Sequence, residues 1–340
     1  MAGKKQLIGE LVTSLLKKFP DTPILTLAKK AYKENKSLFT NLENARSSFR
    51  YYAGLTGKKN IAKTADKSIL RTPKYGQERK DALNPFKLPE SFEDDWSPYI
   101  LPTLTRRLLV LSDIHIPYHN INALTLAIQY GIEMGADSVL LNGDTLDCYS
   151  LSKYEKDPRK RTFSDELQSA RELLEAIREA FPGCPIYFKI GNHEERYERY
   201  LSFKAPELLG CTDFKLENLL RFGEYGVQLI TDKRIIKAGK LSIMHGHEFF
   251  GGGAGVNPAR GYFMRAKESV MCGHNHQTSE HTEPTLSGDI ITAWSTGCLS
   301  ELHPMYMPVN KWNLGFAFVE IEGDGTFKVH NKRIFNGKIL

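Results

Sequence analysis

No stretch of this 340-residue chain approaches the run of roughly 18 apolar residues that a membrane-crossing helix needs, so no transmembrane helix is expected. Cysteine is scarce. Its five copies, at 148, 184, 211, 272 and 298, form an odd, scattered set without a C-x-x-C pair. That reads as reduced, mostly buried thiols in a cytoplasmic protein. The first 20 residues are amphipathic and lysine-tagged, but they lack a continuous apolar segment and a small-residue cleavage site, which argues against a secretory signal. No internal repeat or low-complexity tract is visible. The run Gly251-Gly252-Gly253 is not a phosphate loop, because no Gly-Lys-Ser/Thr follows it. It reads as a flexible connection, with a lid over a site as the alternative.

What is present is enough apolar sequence, 41%, for a sizeable core, and an uneven charge distribution. Residues 1–80 hold 18 Lys/Arg against 6 Asp/Glu, whereas the remaining 260 hold 28 against 34. All the excess positive charge therefore sits in the N-terminal quarter, as in a polyanion-binding module attached to a separate body.

Residues 1–55 read as a basic helical module. Leu7, Leu11, Leu15 and Leu16 recur at helix spacing, and a second helix is expected from Pro23 through Tyr32. A third starts near Thr40 or Asn41 and carries Leu42, Ala45, Phe49 and Tyr52 on one face. The outline resembles a helix-turn-helix, with Arg46, Ser47 and Arg50 on the groove-facing side. Residues 56–100 read as a linker, first basic (Lys58, Lys59 and onward), then proline-rich. Arg46, Arg50, Lys58 and Lys59 are the candidate contacts to DNA or RNA. From residue 101 to 340 the pattern is an α/β body: strands and helices alternate to about Gly226, and strands dominate thereafter.

Five short polar motifs follow five apolar runs in that body. They are Asp113-Ile114-His115, Gly143-Asp144-Thr145-Leu146-Asp147, Gly191-Asn192-His193-Glu194, His245-Gly246-His247 and Gly273-His274-Asn275-His276. Strand alternation would put Asp113 and His115 on one side, facing a common ion. Gly143 frees the backbone to turn before Asp144. The Asn192 carbonyl suits a hard divalent cation, and His245, His274 and His276 suit Mn, Fe, Zn or Ni. One such motif arises readily by chance; five in order, each at a strand end, do not.

Together these motifs resemble the calcineurin-like metallophosphoesterase superfamily over roughly residues 106–335. The resemblance implies an α/β fold in which a four-layer α/β/β/α sandwich carries the small N-terminal helical module. It implies two divalent ions, Mn2+ first, with Fe, Zn, Ni or Mg as alternatives. Asp113, His115 and His276 would hold one ion, Asn192, His245 and His274 the other, and Asp144 would bridge them. His193 would steady the transition state or protonate the leaving oxygen, with Asp147 as its carboxylate partner. Asp147 could instead be a helix N-terminal charge, and Glu194 reads as a first-turn helix acid. His247 is either a supporting group or a substrate contact, and Arg260 and Arg265 could reach a phosphate. The cluster 195–200 reads as a solvated helix face. Lys156, Arg159, Lys160 and Arg161 form a basic patch in the insertion after Asp147. The function expected is metal-dependent phosphodiester hydrolysis on nucleic acid or nucleotides. Two rival readings are a phosphomonoesterase and a DNA-binding regulator with a largely non-catalytic metal body.

Overall fold

The computed structural model describes residues 2–19, 22–56, 97–153, 162–231, 233–249 and 255–340. Lys58, Lys59, the patch 156–161 and Gly251–Gly253 lie outside the described residues. The chain divides into two units, Met1–Glu93 and Asp94–Leu340.

The first unit is three helices: α1 (Ala2–Lys18), α2 (Ile24–Glu34) and α3 (Leu42–Tyr52). Asn41 caps α3 by accepting from the Asn44 N–H at 2.8 Å. Val12, Leu27, Ala28, Ala31, Phe39, Ala45 and Phe49 form the core. The seam of α1 differs from the expected leucine repeat. Leu7 is 54% exposed, and the buried stripe runs through Ile8, Leu11, Val12, Leu15 and Leu16, the spacing of a wider apolar face. Tyr52 closes over Gly9 of α1, where any side chain would collide with the phenol ring.

The second unit begins with strand β1 (Tyr99–Ile100), followed by β2 (Arg107–Leu111), α4 (Ile121–Glu133), β3 (Ser138–Asn142), α5 (Phe163–Ala180) and β4 (Ile186–Lys189). Then come α6 (Glu195–Lys204), α7 (Leu216–Leu219), α8 (Phe222–Tyr225), β5 (Val227–Ile230), β6 (Ile236–Ala238), β7 (Leu241–Met244) and α9 (Pro258–Ala266). The remaining strands are β8 (Val270–Cys272), β9 (Ser279–Pro284), β10 (Ile290–Ser295), β11 (Leu314–Ile321), β12 (Phe327–Phe335) and β13 (Lys338–Ile339). One sheet has the order β13-β12-β11-β2-β3-β4-β5, the other β1-β6-β7-β8-β10-β9.

Strand alternation sorts the core. Leu109 and Leu111 of β2 pack under α4 and α5, while Leu108 and Val110 point the other way, into the layer between the sheets. From the second sheet, Ile243, Met271 and Trp294 meet them in that layer. Met244, Val270, Cys272 and Ala293 turn outward beneath Tyr262 and Phe263 of α9. The result is the four-layer α/β/β/α sandwich. α5 buries Leu167, Ala170, Leu173, Leu174 and Ile177, one helical stripe, and starts with a capping box between Thr162 and Asp165. No helix among the described residues is long and apolar enough to cross a membrane.

Candidate metal centre

β2, β3 and β4 are adjacent and parallel, so the segments that leave their C-terminal ends lie side by side. These segments carry Asp113, Asp144 and Asn192. β7 and β8 are likewise adjacent and parallel, and deliver His245, His274 and His276. Two sheets thus empty their polar turns into one crevice at the carboxyl ends of strands, where open α/β sheets place ligands.

Asp113 and His115 reach the crevice by a different route from simple strand alternation. β2 stops at Leu111, and both residues sit beyond it with left-handed backbones, φ 56° and 53°. Asp144, His274 and His276 share that conformation at φ 51°, 68° and 55°. Each such non-glycine residue costs of order 1–3 kcal/mol, and such strain gathers at functional sites. Cross-bonds between motifs hold it: the His115 N–H donates to the Asp144 carbonyl at 2.9 Å, and the His274 N–H to Asp113 Oδ2 at 2.9 Å. Gly191 packs so tightly on Asp144 that a methyl group there would overlap both its backbone and its carboxylate.

The side chains converge. His276 Nε2 lies 3.1 Å from Asp113 Oδ1 and 3.1 Å from His115 Nε2. His245 Nε2 lies 3.2 Å from Asp144 Oδ2 and 3.3 Å from Asn192 Oδ1. Asp113, His115 and His276 could hold one ion, and Asp144, His245 and His274 another, the ligand atoms of each group lying within 4.8 Å of one another. Imidazoles and carboxylates closing on one point are the donor set of a first-row divalent ion. Two acceptors fix the ring orientations. His115 Nδ1 faces Asp147 Oδ1 at 3.0 Å and His245 Nδ1 faces the Asn142 carbonyl at 2.8 Å, which keeps those protons on Nδ1 and leaves Nε2 free to ligate.

The electrostatics agree with the geometry. Burial opposes ionisation of Asp144, yet His245 and His193 outweigh it and hold the carboxyl well below its usual range. Burial likewise works against a charged His245, but Asp144 and Asp113 push it up to about 10. A dication takes over the charge that the proton otherwise supplies.

His193 and Asp147 meet beside this cluster. His193 Nδ1 donates to the Asp147 carbonyl at 2.8 Å and lies 3.2 Å from its Oδ1. Burial lowers the His193 pKa, but Asp144 and Asp147 together leave it raised, with Arg196 opposing them. Arg196 donates to His193 Nε2 and to the Asp147 carbonyl, both at 2.9 Å. The 195–200 segment is solvated on one side only: Glu198, Arg199 and Tyr200 are exposed, whereas Tyr197 is buried, its hydroxyl on the Phe214 carbonyl, and Glu195 takes His247 Nε2 at 2.9 Å. His247 thus sits against the cluster with that nitrogen occupied. Arg260 lies exposed on the first turn of α9, with no ion pair to the cluster. In the first unit Arg46 is tied to Glu43 at 3.4 Å, while Arg50 is exposed.

Sequence reasoning missed the supports. Glu194 stands at the start of α6, close to its expected place as a first-turn helix acid, but its side chain makes no cap bond there and works as a strut. Its carboxylate accepts from the N–H groups of Asp144 (3.0 Å), Leu146 (2.8 Å) and Gly191 (2.8 Å), joining two motif loops. Burial and the Asp144 charge raise its pKa to about 7. A buried N–H left unpaired costs about 1–3 kcal/mol. Glu194→Ala is therefore expected to lower unfolding free energy by at least about 3 kcal/mol, read by urea denaturation; a loss under about 1 kcal/mol contradicts the strut. Glu248 does the same for the third loop, accepting from the His245 N–H (3.1 Å) and the Gly246 N–H (2.6 Å). It is paired at 3.0 Å with Lys189, a lysine with no exposed surface. The signal for Lys189 was present: a cation inside the run Ile186-Tyr187-Phe188-Lys189-Ile190 demands a buried partner.

Two sheets feeding acidic and imidazole side chains into one crevice define a metal-binding hydrolase site. The profile of the calcineurin-like phosphoesterase family matches residues 106–277, and the chain belongs to that family, whose members use divalent metals. It is accordingly a hydrolase of phosphate esters. The gene 54 protein of Mycobacterium phage L5 is 30% identical over 237 residues, 65% of this chain and 91% of that protein. Its counterpart in Mycobacterium phage D29 is 30% identical over 238 residues with the same coverage. Among solved structures, Vps29 of Entamoeba histolytica complexed with zinc overlaps 69% of this chain and 96% of its own at 14% identity and a TM-score of 0.35. YfcE, a phosphoesterase from E. coli, overlaps 66% and 98% at 14% identity and a TM-score of 0.32.

Proposed function

We propose that this chain is a two-metal phosphodiesterase acting on nucleic acid or nucleotides, with the basic N-terminal helices as the nucleic-acid-binding module. The observation that carries the catalytic half is the convergence of Asp113, His115, Asp144, Asn192, His245, His274 and His276 at the ends of five strands. Asp113, His115 and His276 would hold one ion, Asn192, His245 and His274 the other, with Asp144 shared between them. Bound divalent ions, Mn2+ foremost, supply the Lewis acidity that makes water a nucleophile near neutral pH and neutralises charge on the phosphoryl oxygens. His193 stands beside that position, held by Asp147, whose charge with that of Asp144 favours the imidazolium; in that doubly protonated form it would give the Nε2 proton to the leaving oxygen. Arg196 must first release that nitrogen, and its guanidinium is then free to pair with the phosphate.

The nucleic-acid half is supported by the charge excess of residues 1–80 and by the exposed stripe Asn44, Ser47, Arg50 and Tyr51 on α3. The test is hydrolysis of bis-p-nitrophenyl phosphate against p-nitrophenyl phosphate with Mn2+ and with chelator, alongside DNA binding at two salt concentrations. Metal-dependent diester cleavage and an affinity that weakens steeply with salt are expected. Cleavage of the monoester alone moves the reading to a phosphatase.

The proton on His245 also sets a pH rule. An incoming ion must displace it, so apparent metal affinity is expected to strengthen as pH rises toward about 10, by up to about tenfold per unit for each proton released. Calorimetric titration at pH 7 and pH 9 measures this, and equal affinities contradict it.

A further inference from the structure

The segment between β10 and β11 carries an unusual surface. Met305, Tyr306 and Val309 are 84%, 68% and 91% exposed, beside a site otherwise built of polar groups. The segment is nonetheless held in place. Asn310 Nδ2 donates to the Leu302 carbonyl (2.6 Å) and the Met307 carbonyl (2.9 Å), its Oδ1 accepts from the Trp312 N–H (2.9 Å), and the Asn313 N–H donates to the His276 carbonyl (2.9 Å). The last of these ties the segment directly to a candidate metal ligand.

Two aromatic rings follow from that anchoring. Trp312 packs on His276 with ring centroids 4.2 Å apart, and Tyr306 stands edge-on to Trp312 at 6.3 Å. The Tyr306 phenol also lies within the field of the cluster: its partial burial, with Asp147 and Asp144 nearby, pushes it up to about 12 while Arg196 opposes them. Tyr306 is thus linked to the metal-ligand cluster through Trp312 and His276, and much of its surface lies open to solvent. An exposed aromatic surface fixed next to a catalytic crevice is costly to leave bare and marks a place that a ligand covers.

We infer that Tyr306, backed by Trp312, is a stacking platform for the nucleobase attached to the phosphodiester being cleaved. This rests on the phosphodiesterase reading above and narrows it: the substrate presents a planar base within reach of the scissile phosphate. Every base offers a π-face, so the platform recognises a base without selecting a sequence. Lys311, exposed on the same segment, adds positive charge for a neighbouring phosphate. The platform also explains why an aromatic segment sits against a site whose chemistry needs only polar groups.

The test compares two diesters, a dinucleotide with both bases and the same backbone with abasic tetrahydrofuran units, on wild type, Tyr306→Ala and Tyr306→Phe with Mn2+. A stacked base is worth ~1–3 kcal/mol, so wild type is expected to favour the base-bearing diester in kcat/KM by about fivefold or more. Tyr306→Ala is expected to bring that ratio close to one, and Tyr306→Phe to keep it. A wild-type ratio near one, or an alanine variant that keeps the full ratio, overturns the platform while the phosphodiesterase reading stands. Failure to cleave either diester, with p-nitrophenyl phosphate still hydrolysed, overturns the phosphodiesterase reading and the platform with it.

Discussion

Asp144→Asn is expected to lower diester hydrolysis by about a thousandfold or more. Asp144 is the carboxylate that both halves of the cluster share: its Oδ2 lies 3.2 Å from His245 Nε2 and 4.0 Å from His115 Nε2, and its Oδ1 accepts the His193 N–H at 2.9 Å. An amide keeps the shape and the hydrogen bond but removes the charge that would hold two dications close together. Metal ions supply several kcal/mol of transition-state stabilisation. Losing about 4 kcal/mol of it is a thousandfold in rate, because ~1.4 kcal/mol is tenfold. The substitution lies in the second unit, so DNA affinity from residues 1–80 is expected to survive it. Steady-state hydrolysis and a DNA-binding titration on the same preparation measure both. A variant within tenfold of wild type contradicts the bridging role, and joint loss of hydrolysis and DNA binding contradicts the two-module arrangement.

Lys189→Met is expected to be among the most destabilising single substitutions in the chain. It leaves Glu248 buried without its cation, and breaking a buried pair by removing one partner costs about 3–5 kcal/mol. Glu248 also holds the N–H groups of His245 and Gly246, so the loss reaches the metal ligand. Adding Glu248→Gln is expected to recover part of the stability, because an amide oxygen still accepts those N–H groups without a buried charge. The pH dependence follows from the Glu248 pKa, which burial opposes but Lys189 and His245 lower from 4.5 to about 2. Its ionisation stabilises the wild type fully above about pH 4.5, and that contribution is lost as pH falls toward 2. The gap between wild type and Lys189→Met is therefore expected to narrow in acid, since a protonated Glu248 no longer needs a cation. Urea unfolding at pH 7 and pH 3 measures both effects, and a gap unchanged between them contradicts the pairing.

The parts legible in the sequence were those with a strong local signal. All five motifs follow strands, because short apolar runs ending at Gly or Asp mark buried parallel strands. The start of α3 near Thr40 or Asn41 was equally direct, and Asn41 is its cap. β9 was not legible: Ser279-Glu280-His281-Thr282-Glu283-Pro284 is a polar sheet edge that carries no apolar alternation and gains its strand character from pairing with β10. α9 was obscured by Gly261, although Asn257 followed by Pro258 is a good helix start. Within the site, the ligand types were readable because metal chemistry restricts them. Of the residues that aim the ligands, Glu194 acts through the N–H groups of Asp144 and Leu146 in a distant loop, and sequence spacing carries no trace of such a contact. Lys189 announced a buried partner but not that the partner is Glu248.

Seven side chains on five strand ends would build the proposed two-ion centre. Its most direct measurement is metal stoichiometry, taken by elemental analysis after Mn2+ loading and desalting, on wild type, His276→Ala and His245→Ala. Two ions per chain are expected in wild type and one in each variant, because the two histidines would serve different ions. A wild type that binds one ion or none, or variants that keep both, contradicts it.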